Sequence, residues 1–171
     1  MIGLKYKLSV LTMEIDLNEV KNEAFKKQKA RRKYIERIRK NKSAELDKLF
    51  NEVHNDVFKK IDCLECANCC KTVGPLFTDK DISRISKKLK ITPGKFTERY
   101  LKIDEEQDYV LNKLPCPFLV DGNCCSIYSF RPKACYEYPH TQMKNQKKVL
   151  KLHLLNCKFC PGVNEIFNRL L

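Results

Sequence analysis

Apolar positions recur along this chain mostly at three- and four-residue intervals. Leu46, Leu49, Phe50, Val53, Val57, Phe58 and Ile61 form one amphipathic stripe, which predicts a helix capped by Ser43. An earlier stretch, capped by Asp16 or Asn18, carries Val20, Ala24, Ala30, Tyr34, Ile35 and Ile38. Its apolar positions are sparse, so the expectation is one helix with a thin packing face. Thr78-x-x-Asp81 resembles a capping box with Asp in place of Glu, opening a helix that buries Ile82, Ile85 and Leu89. Thr92 with Pro93 predicts another start, for a short helix carrying Phe96, Tyr100 and Leu101. Val163, Ile166, Phe167, Leu170 and Leu171 predict a closing helix. Between Val149 and Leu155 the pattern is ambiguous, because the leucines alternate as in a strand while the length suits a helix.

Strand signals are few. Tyr109 to Leu114 suits a short strand, and Phe118 to Val120 with Cys125 to Tyr128 suits a hairpin turning at Asp121-Gly122-Asn123. Gly74-Pro75, Pro115-Cys116-Pro117 and Arg131-Pro132 interrupt the helices. The fold class expected is α+β: a small, mostly helical domain over residues 43–171 with a short hairpin, its loops converging on a cysteine-ligated metal centre. A basic helical extension, residues 1–42, precedes it.

Charge sharpens that division. The chain has 171 residues and a net charge of +13. Eleven basic residues against Glu23 and Glu36 fall between Lys21 and Lys42, so that stretch alone carries +9. Such a helix suits nucleic acid or an acidic protein, or is simply a solvated face. Few aromatics interleave with the charges, so base stacking is poorly supported. The N-terminus has no uninterrupted apolar segment and no run is long enough to span a bilayer, which points to a cytoplasmic, reducing setting.

The chemistry lies in ten cysteines. Cys63, Cys66, Cys69 and Cys70 form a C-x-x-C-x-x-C-C run, denser than packing requires. In a reducing compartment disulfides are rare, and thiolates at two-residue gaps suit structural zinc or an iron–sulfur cluster. Cys116 and Cys160 each precede a proline, as the remote fourth ligand of bacterial ferredoxin sites does. Spacing alone favours a metal without choosing between zinc and a [4Fe-4S] cluster.

The run, together with Pro115-Cys116-Pro117-Phe118-Leu119, Cys125-Ser126-Ile127-Tyr128, Arg131-Pro132-x-x-Cys135 and Tyr138-Pro139, resembles the YkgJ-type cysteine-cluster family of zinc- or iron-chelating proteins. The likeness covers about residues 45–171. It implies as metal ligands Cys63, Cys66, Cys69, Cys70, Cys116, Cys125 and Cys135, with Cys160 fitting better than Cys157 as an eighth. Eight thiolates suffice for two four-thiolate sites or one polynuclear cluster. Cys124 and Cys157 are surplus.

Arg131 could offset thiolate charge or simply occupy a turn. Tyr128, Tyr136 and Tyr138 could shield the sulfurs or be ordinary half-buried aromatics. His140 is a further ligand candidate, with His54 and His153 more remote. The five glycines form no phosphate-cradling loop, and no self-contained catalytic set is evident. Three classes therefore stand at this point: a metal-binding protein, an iron–sulfur redox component of an enzyme system, and a zinc-dependent nucleic-acid-binding protein using the basic helix.

Overall fold

The computed structural model describes residues 16–171. Ten α-helices are present among them: α1 Leu17–Lys26, α2 Gln28–Ile38, α3 Ser43–Phe58, α4 Cys63–Cys66, α5 Asn68–Thr72, α6 Asp79–Lys88, α7 Pro93–Tyr100, α8 Lys133–Glu137, α9 Leu150–Asn156 and α10 Pro161–Leu170. Three short strands, β1 Leu76–Phe77, β2 Leu101–Ile103 and β3 Tyr109–Leu111, form an antiparallel sheet in the order β1-β3-β2. A separate hairpin pairs β4 Leu119–Val120 with β5 Cys124–Cys125. The architecture is α+β and mostly helical, as the periodicity predicts. Among the described residues no helix is long and apolar enough to cross a membrane.

Side chains gather into two cores. The first is helical. Leu46, Phe50 and Val57 of α3 meet Val163, Ile166 and Phe167 of α10 and Leu150 of α9, and Ala24, Tyr34, Ile35 and Ile38 add the packing face of α1 and α2. The second joins α6, α7 and the sheet through Phe77, Ile82, Ile85, Phe96, Leu101 and Leu111, with Phe118 and Ile127 from the hairpin region. Each fully buried residue of this size stabilises the fold by about 1.5–3 kcal/mol relative to exposure.

Several boundaries differ from the sequence expectation. The N-terminal helix is two helices, interrupted at Lys27, whose side chain reaches Glu23 and Asn168 at 2.8 and 3.0 Å. Asp16 is its cap, accepting from the Asn18 and Glu19 N–H groups. Ser43 does not cap α3; it occupies the first helical position, and Lys42 precedes it in extended conformation. Thr78 and Asp81 form the full capping box, and Thr92 caps α7 with Pro93 at its start. The strand from Tyr109 ends at Leu111. The ambiguous Val149–Leu155 stretch is helical, as α9.

Candidate metal centre

The cysteine run lies between the two cores and is divided into two helical turns. Asp62 caps α4, and Ala67 then takes the left-handed conformation at φ 45° and ψ 17°, a backbone that few non-glycine residues adopt. Helix α5 starts afresh after it, so Cys63 and Cys66 lie on one turn and Cys69 and Cys70 on the next. Hydrogen bonds fasten these turns to distant loops. Asn68 Nδ2 donates to the Phe159 carbonyl at 2.7 Å, next to Cys160. The Cys116 N–H donates to the Cys70 carbonyl at 2.8 Å. Asn123 Nδ2 donates to the Glu65 carbonyl at 2.8 Å, placing the β4–β5 turn against α4.

Cys70, Cys116, Cys125 and Cys135 are electrostatic neighbours in every pairing. Burial and then the charges of Cys70, Cys116 and Cys125 push the Cys135 thiol up to about 12. Cys116 is raised by burial and by Cys70 and Cys125, and Cys125 by burial and by Cys70. On the other side, Cys63 is raised by burial, Cys66, Asp62 and Cys70. Burial pushes Cys160 up to about 12, with Cys63 and Cys66 adding to it. The Tyr138 hydroxyl, raised by burial, faces Cys160, Cys69 and Cys63. It is buried without a well-formed hydrogen-bond partner. A hydrogen bond with Cys69, followed by burial, raises Cys70, so the adjacent pair stands where the two neighbourhoods meet.

The surroundings treat several of these sulfurs as anions in waiting. Backbone N–H groups oppose burial at three of them: those of Phe118 and Leu119 at Cys116, that of Ile127 at Cys125, and those of Val163 and Gly162 at Cys160. Each lowers its thiol pKa because an N–H donor favours the charged form. Arg131 does the same for Cys125 and Cys135 through its charge. Its guanidinium lies 4.0 Å from the Tyr128 ring centre and 5.1 Å from that of Tyr136, and donates to the Tyr128 carbonyl at 2.8 Å. These pulls do not overcome burial, so the thiols need a cation to deprotonate together. A divalent metal supplies it, and an all-sulfur donor set suits zinc or iron. Among the described residues, no group of three or more His, Cys, Asp or Glu side chains is drawn together closely enough to hold a metal ion.

The surplus cysteines lie apart. Cys124 is exposed, its thiol 3.7 Å from the Gly122 carbonyl. Cys157 belongs to the helical core, where burial raises it to about 11 against a pull from Arg31. The histidines face elsewhere. His140 Nδ1 is 3.2 Å from the Met143 sulfur, His54 Nδ1 is 2.6 Å from Thr141 Oγ1, and His153 is buried beside Phe50.

One contributor was invisible in the sequence. Asp81 completes the α6 capping box, yet its Oδ1 also accepts from the Lys133 N–H at 3.1 Å and from Arg84 at 2.7 Å. Arg84 in turn donates to the Arg131 carbonyl at 2.9 Å. The start of α6 thus positions the segment that carries Arg131 and Cys135. The capping motif was the available signal, but it reveals only the local half of that role.

Comparison with known proteins agrees with this chemistry. A family model named CxxCxxCC and described as "putative zinc- or iron-chelating domain" matches residues 62–160, a span that includes all eight candidate cysteines. No solved structure matches the chain.

Proposed function

This chain belongs to the CxxCxxCC family of zinc- or iron-chelating domains, and from that premise we propose that it binds metal through eight thiolates in two sets of four. One set is Cys63, Cys66, Cys69 and Cys160; the other is Cys70, Cys116, Cys125 and Cys135. The observation that carries this reading is the fastening of the run to two distant loops, the Cys116 N–H to the Cys70 carbonyl and Asn68 to the Phe159 carbonyl next to Cys160; the mutual electrostatic influence of the second set agrees with it. Tyr138, facing Cys160, Cys69 and Cys63, supports the first. Bound metal supplies positive charge that makes four thiols anionic at neutral pH, and its bonds become folding energy. Around it, Arg131 offsets net negative charge, the N–H groups at Cys116, Cys125 and Cys160 favour the thiolate form, and Tyr138 covers the first set.

Anaerobic purification followed by elemental analysis tests the reading. The expected result is two metal equivalents per chain, with Cys135→Ser and Cys63→Ser each retaining one. A single equivalent that either substitution abolishes would overturn the two-set arrangement in favour of one polynuclear centre. Colourless protein containing zinc identifies closed structural sites. Brown protein with labile sulfide identifies an iron–sulfur cluster and moves the protein toward redox work.

A further inference from the structure

Helix α2 and the segment leading into and starting α9 enclose a cleft of about 400 Å3 on the helical core, lined by no cysteine. Its floor is Ile35 and Leu150; Arg39, Lys147, Lys148 and Lys151 surround it, with Glu36 the acid among its lining residues. The backbone beneath these cations is held. Asp47 accepts the N–H groups of Asn145 and Gln146 at 2.9 and 2.8 Å, and buried Arg31 ties α2 to α10 through Asn168 at 2.8 Å. Beside the cleft, α2 exposes Lys29, Lys33 and Arg37, one cation per turn along a single row, and Lys40 is exposed just beyond its end.

We propose that the cleft and this row form a binding surface for single-stranded nucleic acid. The strand's phosphates lie along the row and the cleft rim, and one base enters the cleft. Three features select this partner. The cations repeat at a regular interval, which complements a regular polyanion rather than the irregular charge of an acidic peptide. The mainly apolar cleft has room for one flat base, which a duplex would keep stacked away. Residues distant in sequence, from α2 and from 147–151, contribute to one continuous positive surface, so the site extends beyond the basic stretch between Lys21 and Lys42. Ile35 and Leu150 are buried and no aromatic side chain lines the cleft, so affinity comes chiefly from phosphate contacts and preference among bases is weak.

The test is fluorescence anisotropy of metal-loaded, full-length protein with labelled oligo-dT of about 12 nucleotides. Affinity should fall about tenfold or more as salt rises from about 50 to about 200 mM. The triple variant Lys147→Glu, Lys148→Glu, Lys151→Glu should weaken binding about tenfold and reduce the log–log salt slope by about two. A control of identical net charge, Lys80→Glu, Lys95→Glu, Lys102→Glu on the other core, should retain the wild-type slope. Equal losses in both triples would reduce the effect to overall charge and overturn the site. So would absence of binding at low salt in the wild type, or tighter binding of poly-L-glutamate than of the oligonucleotide, which would assign the surface to an acidic protein.

Discussion

Around Phe50 the helical core encloses His153, Gln146, Thr141 and Asn156, whereas around Phe96 the sheet-backed core encloses aromatic rings and admits Asp81 and Ser86 at its edge. In the second core Phe96 lies 6.0 Å from Phe77, 5.2 Å from Tyr100 and 6.2 Å from Phe118 by ring centres. These rings hold one another by dispersion and by excluding water. The helical core buries polar side chains whose partners come from distant segments. Gln146 donates to the carbonyls of His140 and Met143, so its oxygen accepts from His153 Nε2 at 2.6 Å. That assigns the proton of the neutral imidazole to Nε2 and leaves Nδ1 buried as an acceptor. The contrast teaches that the polar groups a core buries, and not its apolar packing, set its sensitivity to acid.

The largest test of the contrast removes what joins the two cores. Under the proposed ligation, complete chelation of metal should lower the thermal midpoint by about 10 °C or more, because several kcal/mol of ligation energy are lost. Calorimetry should then resolve separate melting of the two cores; an unchanged midpoint would mean that the cores hold together without metal. Next come the core rings. Phe50→Ala and Phe96→Ala should each cost about 3–5 kcal/mol by denaturant unfolding. Only Phe96→Ala, adjoining Phe118 two residues from Cys116, should also release metal from the second thiol set.

Acid separates the cores further. Burial, with the neighbouring His140 charge, lowers His153 from 6.5 to about 3. The unfolded chain binds the extra proton, so this stability is complete above about pH 6.5 and is lost progressively down to about pH 3. Glu23 deepens the loss. Burial raises its carboxyl, but hydrogen bonds from Asn168, Lys27 and Asn164 win and hold it at about 2 instead of 4.5. In the sheet-backed core Asp81 is raised by burial, yet bonds from Thr78, Arg84 and Lys133 hold it below its ordinary value of 3.8. Its contribution therefore fades only below that pH. Burial also lowers His54 and His140, so a midpoint that declines from pH 6.5 to 4.5 in the wild type, and less steeply with His153→Gln, checks the assignment. The smallest effect belongs to Thr78→Ala, which removes one half of the capping box and should cost about 1 kcal/mol in urea unfolding.

How far these differences could be foreseen depended on what each element buries. Helix α3 was legible because its inward positions are all apolar. So were the starts of α6 and α7, where Thr78 and Thr92 act on their own next turn. Helix α9 was not, because His153 and Asn156 occupy inward positions beside Leu150 and erase the apolar period. Their satisfaction depends on Gln146 and on the Pro139 carbonyl. Strand β2 was missed because Leu101 continues the stripe of α7 and becomes a strand only by pairing with Leu111. The cysteines were legible as donors, but their division was not. Neighbouring Cys69 and Cys70 carry no local signal for which distant loop each one meets.

The peptide bond between Cys69 and Cys70 has a consequence for the order of events during synthesis. Under the proposed division, the first set has three donors within seven consecutive residues, and so closes only short loops. The second must wait for Cys116, 46 residues beyond Cys70, and then for Cys125 and Cys135. Loop-closure entropy grows with separation. The emerging chain would therefore capture its first metal weakly and early, complete the second set next, and seal the first only when Cys160 leaves the ribosome.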